Sequence, residues 1–134
     1  KVYDKENVTL ITLSAAKGTP RLTDASQWLY FKNDAISSND KNIVFLIDKT
    51  PSHFSDASEA EFFRSALNEV VESGKNVFVV SSSGTSFWNT MKDGVRYINL
   101  PSLWNPDGSL NKNFKLLKFK AAPDTLYYSA ESLS

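Results

Sequence analysis

Asn42-Ile43-Val44-Phe45-Leu46-Ile47-Asp48, then Lys49-Thr50-Pro51-Ser52-His53-Phe54, a helical stretch from Asp56 to Ser73, and Asn76-Val77-Phe78-Val79-Val80-Ser81-Ser82-Ser83-Gly84 decide the fold. Both end segments are nearly continuous apolar runs rather than alternating ones. Strands buried on both faces have this signature, so the stretch reads as a parallel βαβ unit inside a layered α/β domain. In such sheets the loops leaving the carboxyl ends of the strands hold ligands and chemistry. Here those loops are Asp48 to Ser55 and Ser81 to Thr90.

The helix between the strands is well specified. Ser55 or Asp56 stands where an N-cap belongs, and Glu59 follows Asp56 by three residues, as in a capping box. Phe62, Phe63, Ala66, Leu67, Val70 and Val71 recur at helical spacing and form one broad apolar stripe. Burying that stripe is worth on the order of 10 kcal/mol before entropy is subtracted. Gly74 follows the last turn, where a helix C-cap is expected.

Working outward, Lys1 to Asn7 is charged and expected to fray, and Val8 to Leu13 is a β-branched, apolar strand. Ala15 to Arg21, with Gly18 and Pro20, reads as a loop. Thr23 or Asp24 then caps a helix running to Ser37, with Trp28, Phe31, Ala35 and either Leu29 or Ile36 on its buried face. Beyond Gly84 the segments Val95–Leu100, Phe114–Lys120 and Thr125–Ser129 read as about three antiparallel strands, the last two joined tightly at Pro123-Asp124. Asn105-Pro106-Asp107-Gly108 is a turn in a polar loop. The expected fold is an α/β layered sandwich: a βαβαβ mixed sheet followed by antiparallel strands.

At 134 residues the chain is read as one domain, residues 1 to 134, large enough to bury about two-thirds of its unfolded surface. It starts without a methionine or a signal-like segment, which reads as a fragment of a longer multidomain protein. Fifteen basic and fifteen acidic side chains cancel, so no basic stripe points to nucleic acid. No apolar run approaches the ~20 residues that span a bilayer, so no membrane insertion is expected. Cysteine is absent, which excludes disulfides, Cys-type zinc sites and a cysteine nucleophile.

Candidate chemistry is sparse. His53 is the single histidine, Asp48 ends a buried strand at the carboxyl edge, and Lys49 stands beside it. Asp48 reads equally as a ligand-binding carboxylate or as an acceptor capping its own loop. Ser81-Ser82-Ser83-Gly84-Thr85-Ser86 could cradle an anion with backbone amides and hydroxyls, but the Gly-x-x-x-x-Gly-Lys-Ser/Thr loop is missing. There is no Gly-x-Ser-x-Gly elbow and no second histidine to serve as its base. Asp48, Lys49, His53, Ser82, Ser83 and Thr85 are therefore the candidate residual pocket. Trp88, Trp104, Tyr97, Tyr127 and Tyr128 offer aromatic faces that could line a carbohydrate platform, with core packing as the alternative.

The order of these pieces resembles the C-terminal half of calcineurin-like metallophosphoesterases. The segment Leu10 to Leu13, the helix carrying Gln27-Trp28-Leu29, the strand from Ile43 to Pro51, the long helix and Val77 to Gly84 carry the likeness. In that family the corresponding strands end in His-x-Pro-Pro and Gly-His-x-His. Here Asp48-Lys49-Thr50-Pro51 stands at the first, and no histidine occurs from Val80 to Thr90 at the second. The family's N-terminal ligands, Asp-x-His, Gly-Asp and Gly-Asn-His, have no counterpart in the chain. A two-metal phosphoesterase site needs about half a dozen such ligands around ions about 4 Å apart. Lys17-Gly18-Thr19, Gln27-Trp28, Phe54-Ser55-Asp56 and Gly94-Val95-Arg96-Tyr97-Ile98 also look similar to segments at the C-termini of bacterial cell-surface proteins with a phosphodiester glycosidase domain.

The resemblance implies a degenerate metallophosphoesterase-like scaffold without cofactor or metal, acting as a non-catalytic accessory or interaction domain of a larger bacterial protein. Its implied place is extracellular or at the cell wall. Its implied partners are other domains of the same polypeptide and, in addition, cell-wall glycan, with oligomeric state left open. Two alternatives stand beside it. One is half of a metal-dependent phosphoesterase that takes ligands from outside this chain; the other is a carbohydrate-binding module.

Overall fold

The computed structural model describes residues 1–132. Its elements in chain order are β1 (Val2–Lys5), β2 (Val8–Leu13), α1 (Pro20–Thr23), α2 (Ala25–Ser37), β3 (Asn42–Ile47), α3 (Ala57–Glu72), β4 (Asn76–Ser82), β5 (Trp88–Lys92), β6 (Val95–Leu100), β7 (Lys115–Ala122) and β8 (Thr125–Ser132). Strands β1 to β6 form one mixed sheet of order β1-β2-β3-β4-β6-β5, and β7-β8 form a second, two-stranded antiparallel sheet. The central β2, β3, β4 and β6 are parallel, as the apolar runs of β3 and β4 lead one to expect for that pair.

The side-chain alternation of these strands splits the interior in two. Ile43, Phe45 and Ile47 of β3, with Val77 and Val79 of β4, face the helices, where they meet Phe31, Ala35, Phe63, Leu67 and Val70. Val44 of β3, Phe78 and Val80 of β4 and Ile98 of β6 face the opposite side, where Leu117, Phe119 and Leu126 of the β7-β8 hairpin cover them. The order of layers is helices, sheet, hairpin. Both faces of β3 and β4 are sealed, which is why these two strands read as unbroken apolar runs.

The helices start where the sequence places them. Asp24 caps α2 by accepting from the Ser26 amide, and Asp56 caps α3 by accepting from the Ser58 and Glu59 amides. The reciprocal arm of the capping box is not made. Glu59 is buried and turns to Arg21, accepting from its backbone amide at 3.0 Å and its Nε at 3.4 Å. A long-range partner has displaced the local one.

Several expectations are corrected. Lys1 to Asn7 does not fray: Val2–Lys5 pairs antiparallel with β2 through a two-residue turn at Glu6-Asn7, where Asn7 adopts φ 64°. The loop expected from Ser81 to Thr90 ends earlier, because Trp88–Lys92 forms the edge strand β5. Asp93 and Gly94, with φ of 52° and 80°, make the tight turn into β6, and a Cβ at Gly94 would press on Val71. Strand β6, expected among the antiparallel strands, is antiparallel to β5 and parallel to β4. It slots between them. Part of the expected Ala15 to Arg21 loop is the single turn α1, with Pro20 at its first position. The β7-β8 hairpin and its Pro123-Asp124 connection are as read, since Ala122 pairs with Thr125.

The apolar faces are also narrower than the periodicity implies. Leu29 and Ile36 of α2 and Phe62 of α3 remain exposed, at 66%, 38% and 60%. Trp28 is half-buried and lies over Phe31, Phe62 and Phe63.

Candidate functional site

Three corners meet at the carboxyl edge of the parallel strands. Leu13 pairs with Ile47 and Ile47 with Ser81, so Ser14 and Asp48 leave the sheet side by side, next to Ser82 at the end of β4. The Asp48 carboxylate turns towards the first of these corners. Its Oδ1 accepts from the Ala15 amide at 2.6 Å and its Oδ2 from the Ser14 hydroxyl at 2.9 Å. Gln27 holds the same corner from the helix side: its Oε1 accepts from the Ser14 amide, and its Nε2 donates to the carbonyls of Ser14 and Pro20. Asp48 is an acceptor, as one of the two sequence readings has it, but it braces the corner after β2 rather than capping its own loop.

A second clasp joins this corner to the loop after β3. Gly18 has φ 115°, and an added Cβ would lie 2.5 Å from Ser55 Oγ. The close approach lets the Ser55 amide donate to the Gly18 carbonyl at 3.1 Å. Pro51 to His53 then form a single 3₁₀ turn on which Pro51 is buried and His53 is exposed. Lys49 is half-buried beside it.

The loop after β4 is organised by Asn99, a buried residue of β6. Its Oδ1 accepts from Ser81 Oγ at 2.8 Å, from Ser83 Oγ at 3.1 Å and from the Ser83 amide at 3.2 Å. Its Nδ2 donates to the carbonyls of Ser83 and Ser86. The serine loop therefore turns polar groups inward, onto one amide, rather than outward as an anion cradle. Ser82 is exposed, and Thr85 lines a separate groove with Phe87, Lys112 and Lys115.

The candidate residues are thus near one another in the chain's topology but do not converge as a set. Asp48 faces Ser14, Ser83 faces Asn99, His53 faces solvent and Thr85 faces a different groove. Among the described residues, no three His, Asp or Glu side chains come together as a metal-ligand group. Within the same residues no helix is long and apolar enough to cross a membrane.

What composition and motif reading missed is a cleft of about 280 Å³ beside this edge, between α3 and the β5-β6 hairpin. Thr50, Pro51 and Ser52 form one wall, Arg64 of α3 another, and Trp88, Thr90, Lys92 and Tyr97 the floor and far side. Burial pushes the Tyr97 phenol above its ordinary pKa, with the nearby Arg64 pulling it down and Asp93 adding to the rise. Of the expected aromatic platform, Trp88 and Tyr97 are here, whereas Trp104 and Tyr127 are exposed elsewhere at 57% and 59%. Tyr128 packs edge-on against Phe78, and the Arg96 guanidinium lies over its ring. The signal for the cleft was Asp93-Gly94, a two-residue hairpin turn just before the strand Val95–Leu100. A scan of the chain against protein-family models finds no match, and a search of curated proteins finds none either.

Proposed function

We propose that this chain is a non-catalytic accessory or interaction domain, built on a degenerate metallophosphoesterase-like scaffold within a larger, exported bacterial protein. One observation carries the reading. The carboxylate best placed for chemistry, Asp48, is engaged on both oxygens by Ser14 and Ala15 and braces the corner after β2. One acceptor site on each oxygen is thus committed within the fold, and among the described residues no second or third carboxylate or histidine stands beside it to complete a metal site. Ser81 and Ser83 are likewise engaged by Asn99. The residues at the carboxyl edge of this sheet hold the edge together. Neighbouring domains of the same polypeptide and wall glycan are the partners such a role implies.

The test is a calorimetric titration of the protein with Mn²⁺ and Zn²⁺, with the melting temperature followed in parallel. A ligand that binds only the folded state must stabilise it, by about 2.7 kcal/mol at a hundred times its dissociation constant. Neither heat nor a shift is expected. Stoichiometric metal binding, together with hydrolysis of a phosphodiester model substrate that Asp48→Ala abolishes, would replace this reading with the half-phosphoesterase one.

A further inference from the structure

The cleft between α3 and the β5-β6 hairpin exists because of a missing helix. The β2-to-β3 and β3-to-β4 crossovers each contain a helix, but the β4-to-β6 connection contains only the strand β5. Helices α2 and α3 cover the sheet through β4 and the near side of β6. The helix-side face of the β5-β6 hairpin is left open, with Trp88, Thr90 and Lys92 aligned on it opposite Asn99, Tyr97 and Val95. The mouth lies by the loop that follows β3, the position where ligands of α/β sheets enter.

The chemistry of the lining is specific. Arg64 and Lys92 are both cationic, and no lining residue is acidic. The ion pairs formed among the described residues are Arg21–Glu59, Lys32–Glu69 and Lys118–Glu131, so Arg64 and Lys92 remain unpaired. Tyr97 supplies a second, independent observation. The residue is only 7% exposed, yet among the described residues its hydroxyl makes no hydrogen bond. Among the described residues no fully enclosed side-chain polar atom lacks a partner, so the Tyr97 hydroxyl keeps some exposure, and Tyr97 lines the cleft. A buried hydroxyl is normally satisfied. This one is left open to a partner in the cleft. Trp88, half-buried, adds a flat apolar face, and Ser52 and Thr90 add exposed hydroxyls at the rim.

We propose that this cleft binds an anionic sugar, with the phosphate or carboxylate between Arg64 and Lys92, the ring against Trp88 and a ring hydroxyl on Tyr97. An arginine beside an open cleft is suited to a bidentate oxyanion. An aromatic face with a few convergent polar groups is the usual composition of a small-ligand site. The volume of about 280 Å³ lies just below the usual range for such sites and suits one ring with its anionic group rather than a nucleotide. The site gives an accessory domain a ligand without depending on that reading, because it shares none of the Asp48, Ser83 or Asn99 contacts.

The experiment is a titration of ¹⁵N-labelled protein with glucose 6-phosphate, glucuronate, glucose, inorganic phosphate and adenosine monophosphate, following the Trp88 indole resonance assigned with Trp88→Phe. Saturable shifts with glucose 6-phosphate, glucuronate or both are expected, and their ratio separates a phosphate from a carboxylate ligand. Arg64→Gln and Lys92→Gln should each weaken binding about tenfold, the loss of one charge-assisted contact. Tyr97→Phe should weaken it several-fold, and Lys118→Gln, on the hairpin sheet, should leave it unchanged. Glucose or phosphate alone binding as tightly as the anionic sugars, adenosine monophosphate binding more tightly, indifference to Arg64→Gln, or no saturation at millimolar concentration would each overturn the proposal. The metal titration reads a different site, so either result can fail alone.

Discussion

Asn42 and Asn76 sit opposite each other on the parallel strands β3 and β4, and the Asn76 Nδ2 donates to Asn42 Oδ1 at 2.9 Å. This pair fastens the second sheet to the first. Asn42, fully buried, shares its two Nδ2 hydrogens among the carbonyls of Asn7, Ala122 and Thr125, and Asn76 donates to that of Asp124. The turns at both Glu6-Asn7 and Pro123-Asp124 hang on the two amides. Asn42→Ala leaves buried carbonyls without donors and should cost about 2–4 kcal/mol in urea unfolding. Hydrogen exchange should accelerate in β7-β8 before it does in β3. Uniform acceleration across both sheets would mean that the apolar contacts of Phe78 and Leu126, not the amides, attach the hairpin.

Asp48 is expected to behave as a structural acceptor. Asp48→Asn keeps the size of the side chain but places an amide donor where a backbone N–H or hydroxyl now donates. Thermal and urea unfolding should show a loss of about 1–3 kcal/mol. A carboxylate held for catalysis at the expense of stability would give the opposite sign, and the variant would be the more stable protein.

Phe62 and Phe63 are neighbours in sequence with opposite fates. Phe63 is fully buried, stacks on Phe31 at 5.0 Å and meets Phe54 edge-on at 5.6 Å, while Phe62 is 60% exposed and rests on Trp28. Phe63→Ala should cost about 3–5 kcal/mol and Phe62→Ala about 1 kcal/mol or less. Comparable losses measured by denaturant midpoint would mean that Phe62 is covered in solution.

That contrast marks where sequence reading succeeds and where it stops. The runs Ile43 to Ile47 and Val77 to Val80 specify buried parallel strands because only a sheet sealed on both faces tolerates them. Asp24, Asp56 and Gly74 mark helix ends through local hydrogen bonding, which depends on near neighbours alone. Helical periodicity, by contrast, cannot tell Phe62 from Phe63, since the width of a buried stripe is set by the packing partner. The partners of Asp48 and Asn99 lie 33 and 16 residues away respectively for their key contacts, so their structural roles leave no local trace. A polar residue inside a buried strand, such as Asn99 between Ile98 and Leu100, is the one hint the chain offers. Strand β5 was hidden because its exposed, polar residues lack the apolar run of its neighbours, even though Asp93-Gly94 is a strong hairpin turn.

Tyr97 makes alkaline pH a probe of the cleft. Below pH about 10 the phenol is neutral in both folded and unfolded chains, so it contributes no pH dependence there. Burial raises its folded pKa above the unfolded value, outweighing the pull of Arg64. Above that pH the unfolded phenol loses its proton while the folded one keeps it, so the folded state binds more protons. Stability must then fall as pH rises, until the folded pKa is passed. Tyr97→Phe removes the group and keeps the ring. Its stability-versus-pH curve should therefore lose part of the alkaline decline seen in the parent while matching it in shape near neutrality. An anion seated on Arg64 cancels the guanidinium's downward pull, so glucose 6-phosphate should delay ionisation of Tyr97 in a near-ultraviolet absorbance titration. An unchanged titration in the presence of bound sugar would place the anion away from Arg64.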